Sequence, residues 1–142
     1  MSPARSRQEQ PLILIVDDDH GMVRTLRDIL IAKGFKIRVA YSGREALEEA
    51  RRHPCDFALI DIRMPHMNGV QLYQALRAVR CDLPAVFMTA YASEDLAGEA
   101  ARLGPLAILI KPIDIDRLIG LLPPRHQARL RVRPNPDPAM PA

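Results

Sequence analysis

Five short aliphatic runs recur along the chain, and polar or helically patterned stretches separate them. The first, Leu12-Ile13-Leu14-Ile15-Val16, is apolar at every position, as expected of a parallel strand buried on both faces. Residues 36–40, 57–60, 83–88 and 106–110 supply four more runs bounded by turn residues, and all five read as strands. Between the first two, Met22, Leu26, Ile29 and Leu30 recur at helical spacing, and Gly34 suits the carboxyl-terminal cap. Ser42 caps a second helix through about Arg52, with Glu45 placed to complete a capping box and Pro54 to stop it. Asn68 or Gly69 starts a third helix carrying Leu72, Tyr73, Leu76 and Val79. Ser93 caps a fourth, with Glu94 and Asp95 in its first turn where they complement the dipole, and Gly104 terminates it. Asp114 begins the last helix, which Pro123-Pro124 ends early.

Alternating strands and helices predict an α/β fold: a (βα)5 three-layer sandwich around a five-stranded parallel sheet. Right-handed crossovers and short connections leave few topologies, among them the flavodoxin-like order 2-1-3-4-5. The folded unit is expected over residues 11–122. Residues 1–10 read as a disordered polar arm, and residues 123–142, rich in Pro and Arg, as a disordered tail.

Composition narrows the class. At 142 residues the chain fits one domain with a sizeable core, and 4% aromatic content without Trp makes that core aliphatic. No apolar run approaches the roughly 20 residues of a membrane span, and the amino terminus lacks a signal-peptide stretch, so a cytoplasmic protein is expected. The formal net charge of +3 belongs to the flanks. Residues 11–122 hold 14 Lys and Arg against 15 Asp and Glu, so the folded part does not invite nucleic acid. Cys55 and Cys81 lack metal-ligand or Cys-x-x-Cys spacing and read as reduced thiols near the core; the four scattered His suggest no zinc site.

The strand ends carry the chemistry. Strand one ends in Asp17-Asp18-Asp19, strand three in Asp61, strand four in Thr89 and strand five in Lys111. In a parallel sheet these ends share one edge, where open α/β folds bind ligands. Two unit charges about 4 Å apart repel by about 4 kcal/mol at an effective dielectric of 20, so clustered carboxylates call for a cation. Hard oxygen ligands suit Mg²⁺. Lys111 adds a second positive charge and Thr89 a hydroxyl donor. Together these groups fit phosphoryl chemistry, with Asp61 attacking in line while cations neutralise the equatorial oxygens.

The fragments Ile13-Leu14-Ile15-Val16-Asp17-Asp18-Asp19, Asp61-Ile62-Arg63-Met64-Pro65-His66-Met67-Asn68-Gly69, Met88-Thr89-Ala90 and Lys111-Pro112, in this order and spacing, resemble the receiver domain of two-component response regulators. The resemblance covers roughly residues 11–122 and implies the 2-1-3-4-5 order. It implies that Asp61 takes a phosphoryl group from a phosphohistidine on a sensor histidine kinase or histidine phosphotransfer protein. Asp18, Asp61 and the backbone carbonyl of Arg63 would bind Mg²⁺, with Asp17 acting through water; Thr89 and Lys111 would contact the phosphoryl oxygens. It further implies a cis Lys111–Pro112 bond. Asp19 would serve the helix start. The family usually has Tyr or Phe where this chain has Ile108, so an aromatic switch ring is not expected here.

The functional expectation is a phosphoacceptor that switches protein contacts, catalysing only its own phosphorylation and dephosphorylation. A stand-alone receiver or relay intermediate is the first reading, and a receiver fragment of a longer DNA-binding regulator the alternative. A Mg²⁺-dependent Asp-nucleophile phosphatase fits less well, because that class carries its nucleophile after the first strand in an Asp-x-Asp arrangement. The apolar fifth strand at the sheet edge suggests a homodimer face formed with the fourth and fifth helices, drawing on Ile108, Ile110, Leu118 and Leu122. Tyr91 and Arg63 are placed to screen an acyl phosphate from water.

Overall fold

The computed structural model describes residues 10–91 and 95–122. Five strands, β1 (Leu12–Val16), β2 (Lys36–Ala40), β3 (Phe57–Asp61), β4 (Ala85–Thr89) and β5 (Ala107–Ile110), form one sheet. Five helices follow them: α1 (His20–Ala32), α2 (Gly43–Arg52), α3 (Gly69–Val79), α4 (Asp95–Arg102) and α5 (Ile115–Leu121). All pairings are parallel and the order is β2-β1-β3-β4-β5, the predicted flavodoxin-like topology.

The side-chain period of two divides the core. Ile13, Ile15, Phe57, Leu59, Val86 and Met88 pack against Val23, Leu26 and Leu30 of α1 and Leu118 of α5. On the opposite face Leu14, Val16, Ala58, Ile60 and Phe87 meet Ala46 of α2, Leu72 and Leu76 of α3 and Ala100 of α4. Every central strand is therefore covered twice, which explains why β1, β3 and β4 are apolar without alternation.

Local chemistry sets the helix ends. Asp19 caps α1, accepting from Met22 N at 3.1 Å, and Gly34 follows the helix at φ 100°. Asn68 caps α3 in a complete capping box with Gln71. Ser42 accepts from Glu45 N as expected, but Glu45 Oε1 reaches Tyr41 N instead of closing the box on Ser42. Asp114 is the cap of α5 rather than its first residue.

Other expectations need correction. The fourth strand starts at Ala85, not Leu83, and the fifth at Ala107, leaving Leu106 exposed. Val23 lies deeper than Met22 or Ile29, and Val79 faces outward. Cys55 is buried, but Cys81 is exposed in the α3–β4 connection. At the β5 edge Ile110 is 52% exposed and Leu106 45%, whereas Leu118 is buried. The expectations for the arm before Gln10, for Ser93 and Glu94, and for everything after Leu122 lie outside the described residues. Among those described, no helix is long and apolar enough to cross a membrane.

Candidate functional site

Parallel register brings the predicted residues to one edge. Val16 pairs with Ile60, which sets Asp17 beside Asp61, and Thr89 pairs with Ile110, which sets Lys111 beside both. The crevice lies where the chain leaves β1 in one direction for β2 and in the other for β3, the point at which open α/β sheets bind ligands.

Carboxylate oxygens of Asp17, Asp18 and Asp61 come within 4.8 Å of one another. Asp17 and Asp61 are buried, while Asp18 is exposed. Lys111 Nζ bridges the buried pair, 2.7 Å from Asp17 Oδ2 and 3.2 Å from Asp61 Oδ1. Asp17 Oδ1 accepts from the backbone N–H of Asp19 at 3.0 Å. Its Oδ2 is the oxygen that meets Lys111, in a short charge-assisted contact.

One ammonium cannot neutralise three carboxylates. Burial first, and then the negative charge of Asp17, push the Asp61 carboxyl up to about 7, against the counter-pull of Lys111. Burial likewise raises Asp17, again partly offset by Lys111. Burial works against the Lys111 ammonium, but its contacts to Asp17 and Asp61 outweigh this and hold it above the ordinary value. An all-oxygen set of three carboxylates, two of them buried and with one ammonium between them, carries excess negative charge and fits a hard divalent cation.

Beside the carboxylates is a cavity of about 180 Å³ lined by Asp61, Arg63, Thr89, Ala90, Tyr91 and Lys111. Thr89 is buried. Its hydroxyl donates to Tyr91 O at 3.0 Å and accepts from Tyr91 N at 3.2 Å, while the Tyr91 ring is 70% exposed at the mouth. The Lys111–Pro112 bond is cis, as expected.

Sequence reasoning missed what holds the loop after β3. A Cβ on Gly69 would lie 2.4 Å from Asp61 O and 2.9 Å from Ile62 Cα, so α3 starts against the strand that ends in Asp61. Its N–H donates to Ile62 O at 2.7 Å. Gly43 similarly leaves room for Met67, whose Sδ would stand 2.5 Å from a Cβ there. His66 adopts φ 70°, a conformation in which His is more frequent than most residues. His20 and Tyr41 stack with ring centroids 3.8 Å apart at the start of α1. None of these leaves a periodic signal; only the Asn68-Gly69 pair hints at the close approach.

The family model described as "Response regulator receiver domain" matches residues 13–122. The transcriptional regulatory protein ZraR of Escherichia coli (strain K12) is 41% identical over 110 residues, 78% of this chain and 25% of ZraR. The chain thus spans about a quarter of the length of the curated relatives it matches. A CheY-like response regulator receiver domain protein from Methanospirillum hungatei JF-1 superposes with a TM-score of 0.76 at 25% identity, covering 86% of this chain and 96% of that one. The CheX-CheY-BeF3-Mg+2 complex from Borrelia burgdorferi contains a chain matching with a TM-score of 0.70 at 26% identity, over 78% of this chain and 84% of its own. With strand order, converging strand ends and a match over nearly the whole described sheet all in agreement, the chain belongs to the response regulator receiver domain family.

Proposed function

We propose that Asp61 is the phosphoacceptor and that its acyl phosphate switches the protein's contacts. Receiver domains are regulatory modules that work with histidine kinases or phosphotransfer proteins and bind Mg²⁺ at an acidic pocket. The observation carrying the residue assignment is Lys111 Nζ lying between Asp17 and Asp61 inside the three-carboxylate cluster.

In this reading an Asp61 carboxylate oxygen attacks the phosphorus of a partner's phosphohistidine. The new O–P bond forms as the P–N bond breaks, and the imidazole leaves with the electron pair. Lys111 Nζ, already 3.2 Å from Asp61 Oδ1, meets a phosphoryl oxygen and offsets the developing charge. Asp18, Asp61 and the Arg63 carbonyl would hold Mg²⁺, with Asp17 supporting through water; when bound, the ion supplies charge neutralisation at the phosphoryl oxygens. The Mg²⁺ and BeF3 of the Borrelia complex support this ligand chemistry by analogy. Thr89 turns its hydroxyl from Tyr91 O to the phosphoryl group. Tyr91 and Arg63, at the cavity mouth, slow attack by water.

A groove of about 440 Å³ runs from Lys111 and Pro112 to Met22, Leu26 and Ile115, and offers the histidine-bearing partner an apolar seat beside Lys111. In this reading the reaction takes place in the cytoplasm. Exposed Leu106 and Ile110 make α4, β5 and α5 the face for a phosphate-dependent homodimer. The length of ZraR favours a second reading of the output, in which the signal passes to a DNA-binding part of a longer regulator.

Incubation with Mg²⁺ and acetyl phosphate, followed by intact-mass measurement, tests the proposal. Wild type gains one phosphoryl group and Asp61→Asn none. A phosphorylated Asp61→Asn, or sustained hydrolysis of a generic phosphate ester by wild type, would refute it.

A further inference from the structure

Asp18 stands where electrostatics alone would not leave it. The residue is exposed, yet its carboxylate lies within 4.8 Å of those of Asp17 and Asp61, and the Lys111 ammonium is engaged by those two. A solvent-facing carboxylate repelled by two neighbours swings away unless the backbone beneath it is fixed.

The segment that carries Asp18 is tied to the β2–α2 connection on both sides of it. Before it, Asp17 N donates to Ala40 O at 3.2 Å. After it, the His20 imidazole lies on the Tyr41 ring, with centroids 3.8 Å apart and planes 17° from parallel. Tyr41 is a firm support for that contact. It is half-buried against the core on the α1 side of the sheet, and its N–H donates to Glu45 Oε1 at 2.9 Å. Stacked aromatic pairs attract beyond the area they bury, and ring faces rather than a charge make the contact.

We infer that His20 and Tyr41 are positioning residues: their stacked rings hold the β1–α1 connection so that Asp18 stays on the carboxylate cluster, ready for Mg²⁺. The inference rests on the reading of Asp18 as a Mg²⁺ ligand and is independent of whether Asp61 accepts the phosphoryl group.

The test is an amide ¹H–¹⁵N titration of the full chain with MgCl₂ at fixed ionic strength, with backbone order parameters measured in the metal-free protein. His20→Ala and Tyr41→Leu each weaken Mg²⁺ binding about threefold to tenfold, the contribution of one stacked pair. The two together weaken it no further than either alone. Tyr41→Phe and His20→Phe keep the rings and retain wild-type affinity. Without metal, the order parameters of Asp18 and Asp19 fall in the two ring-deleting variants and hold in the two ring-keeping ones. His20 is exposed, so His20→Ala judges the contact even if Tyr41→Leu fails to fold. Wild-type Mg²⁺ affinity in His20→Ala, additive losses, or equal losses in the ring-keeping variants would each overturn the inference. Wild type that binds no Mg²⁺ would overturn the ligand reading of Asp18, whereas unchanged order parameters would overturn the stack as its support, so the two failures are told apart.

Discussion

Removing the charge of Asp61 should stabilise the metal-free protein, and by an amount that grows with pH. The side chain is 7% exposed, lies within 4.8 Å of the carboxylates of Asp17 and Asp18, and shares a single ammonium with Asp17. Its carboxyl, 3.8 when unperturbed, is pushed up to about 7 by burial and by Asp17. Below about pH 4 the group is protonated in folded and unfolded chains alike and has no effect. As the pH rises from about 4 to about 7 the unfolded chain gives up its proton first, so ionisation favours unfolding and stability falls. The full displacement corresponds to about 4 kcal/mol, and counter-ion screening through the open cavity reduces the expected loss to about 2 kcal/mol. Asp61→Asn keeps the volume and leaves Lys111 paired with Asp17, so it escapes this loss. Urea unfolding without Mg²⁺ should show the variant nearly equal to wild type at about pH 3.5 and about 2 kcal/mol more stable at about pH 8. Added Mg²⁺ should narrow the gap by stabilising wild type more. A variant no more stable than wild type at the higher pH, or a gap that ignores pH, would show that the three carboxylates are not in electrostatic conflict.

Three further outcomes are expected. Tyr91→Ala should shorten the life of the phosphorylated form, followed by intact mass after donor removal; an unchanged or slower decay would dismiss the ring as a screen. Gly69→Ala should cost about 1–3 kcal/mol in urea unfolding, because its Cβ would meet Asp61 O at 2.4 Å and force the strand or α3 to move. Phosphorylation should fall with it, and a fully stable, fully active variant would count against the close approach. Tyr73→Phe removes the hydroxyl that donates to Leu83 O at 2.7 Å in the interior and leaves that carbonyl unpaired, for a loss of about 1–2 kcal/mol with phosphorylation unchanged.

What could be read in advance was whatever depends on near neighbours in sequence. The aliphatic runs of β1 and β3, the Asp19 and Asn68 caps and the turn at Gly34 need only residues within a few positions. The gathering of Asp17, Asp61, Thr89 and Lys111 followed from one topological fact, that parallel strands end on the same edge. Three-dimensional details were not legible. Met22 and Val23 are both apolar at the start of α1, and only the sheet beneath decides that Val23 is the buried one. Cys81 and Cys55 look alike in composition, yet the first lies in a solvent-facing connection and the second under Arg80. Glu45 has the spacing for a capping box with Ser42, but the chain direction at Tyr41 presents a different N–H. The Gly69 and Gly43 approaches involve partners that sequence distance conceals.

Ile108 constrains how a phosphate at Asp61 could be felt at the surface. A β-branched side chain is stiff at χ1, and this one is packed half-buried against the helices on its side of the sheet, so a swinging ring has no counterpart here. The main chain provides a continuous route instead. The Thr89 hydroxyl is satisfied twice by the Tyr91 backbone, and Thr89 O accepts from Lys111 N at 2.8 Å, one residue past exposed Ile110. In the proposed switch, exchanging a neutral bond worth about 1 kcal/mol for a charge-assisted one of about 1.5–3 kcal/mol leaves a surplus of about 1 kcal/mol. That surplus shifts a two-state loop about fivefold, enough to bias a contact at the β5 edge but not to lock it. An output resting on residues 89–91 is therefore graded, and its strength depends on how much apolar surface Leu106 and Ile110 offer the partner that captures the shifted state.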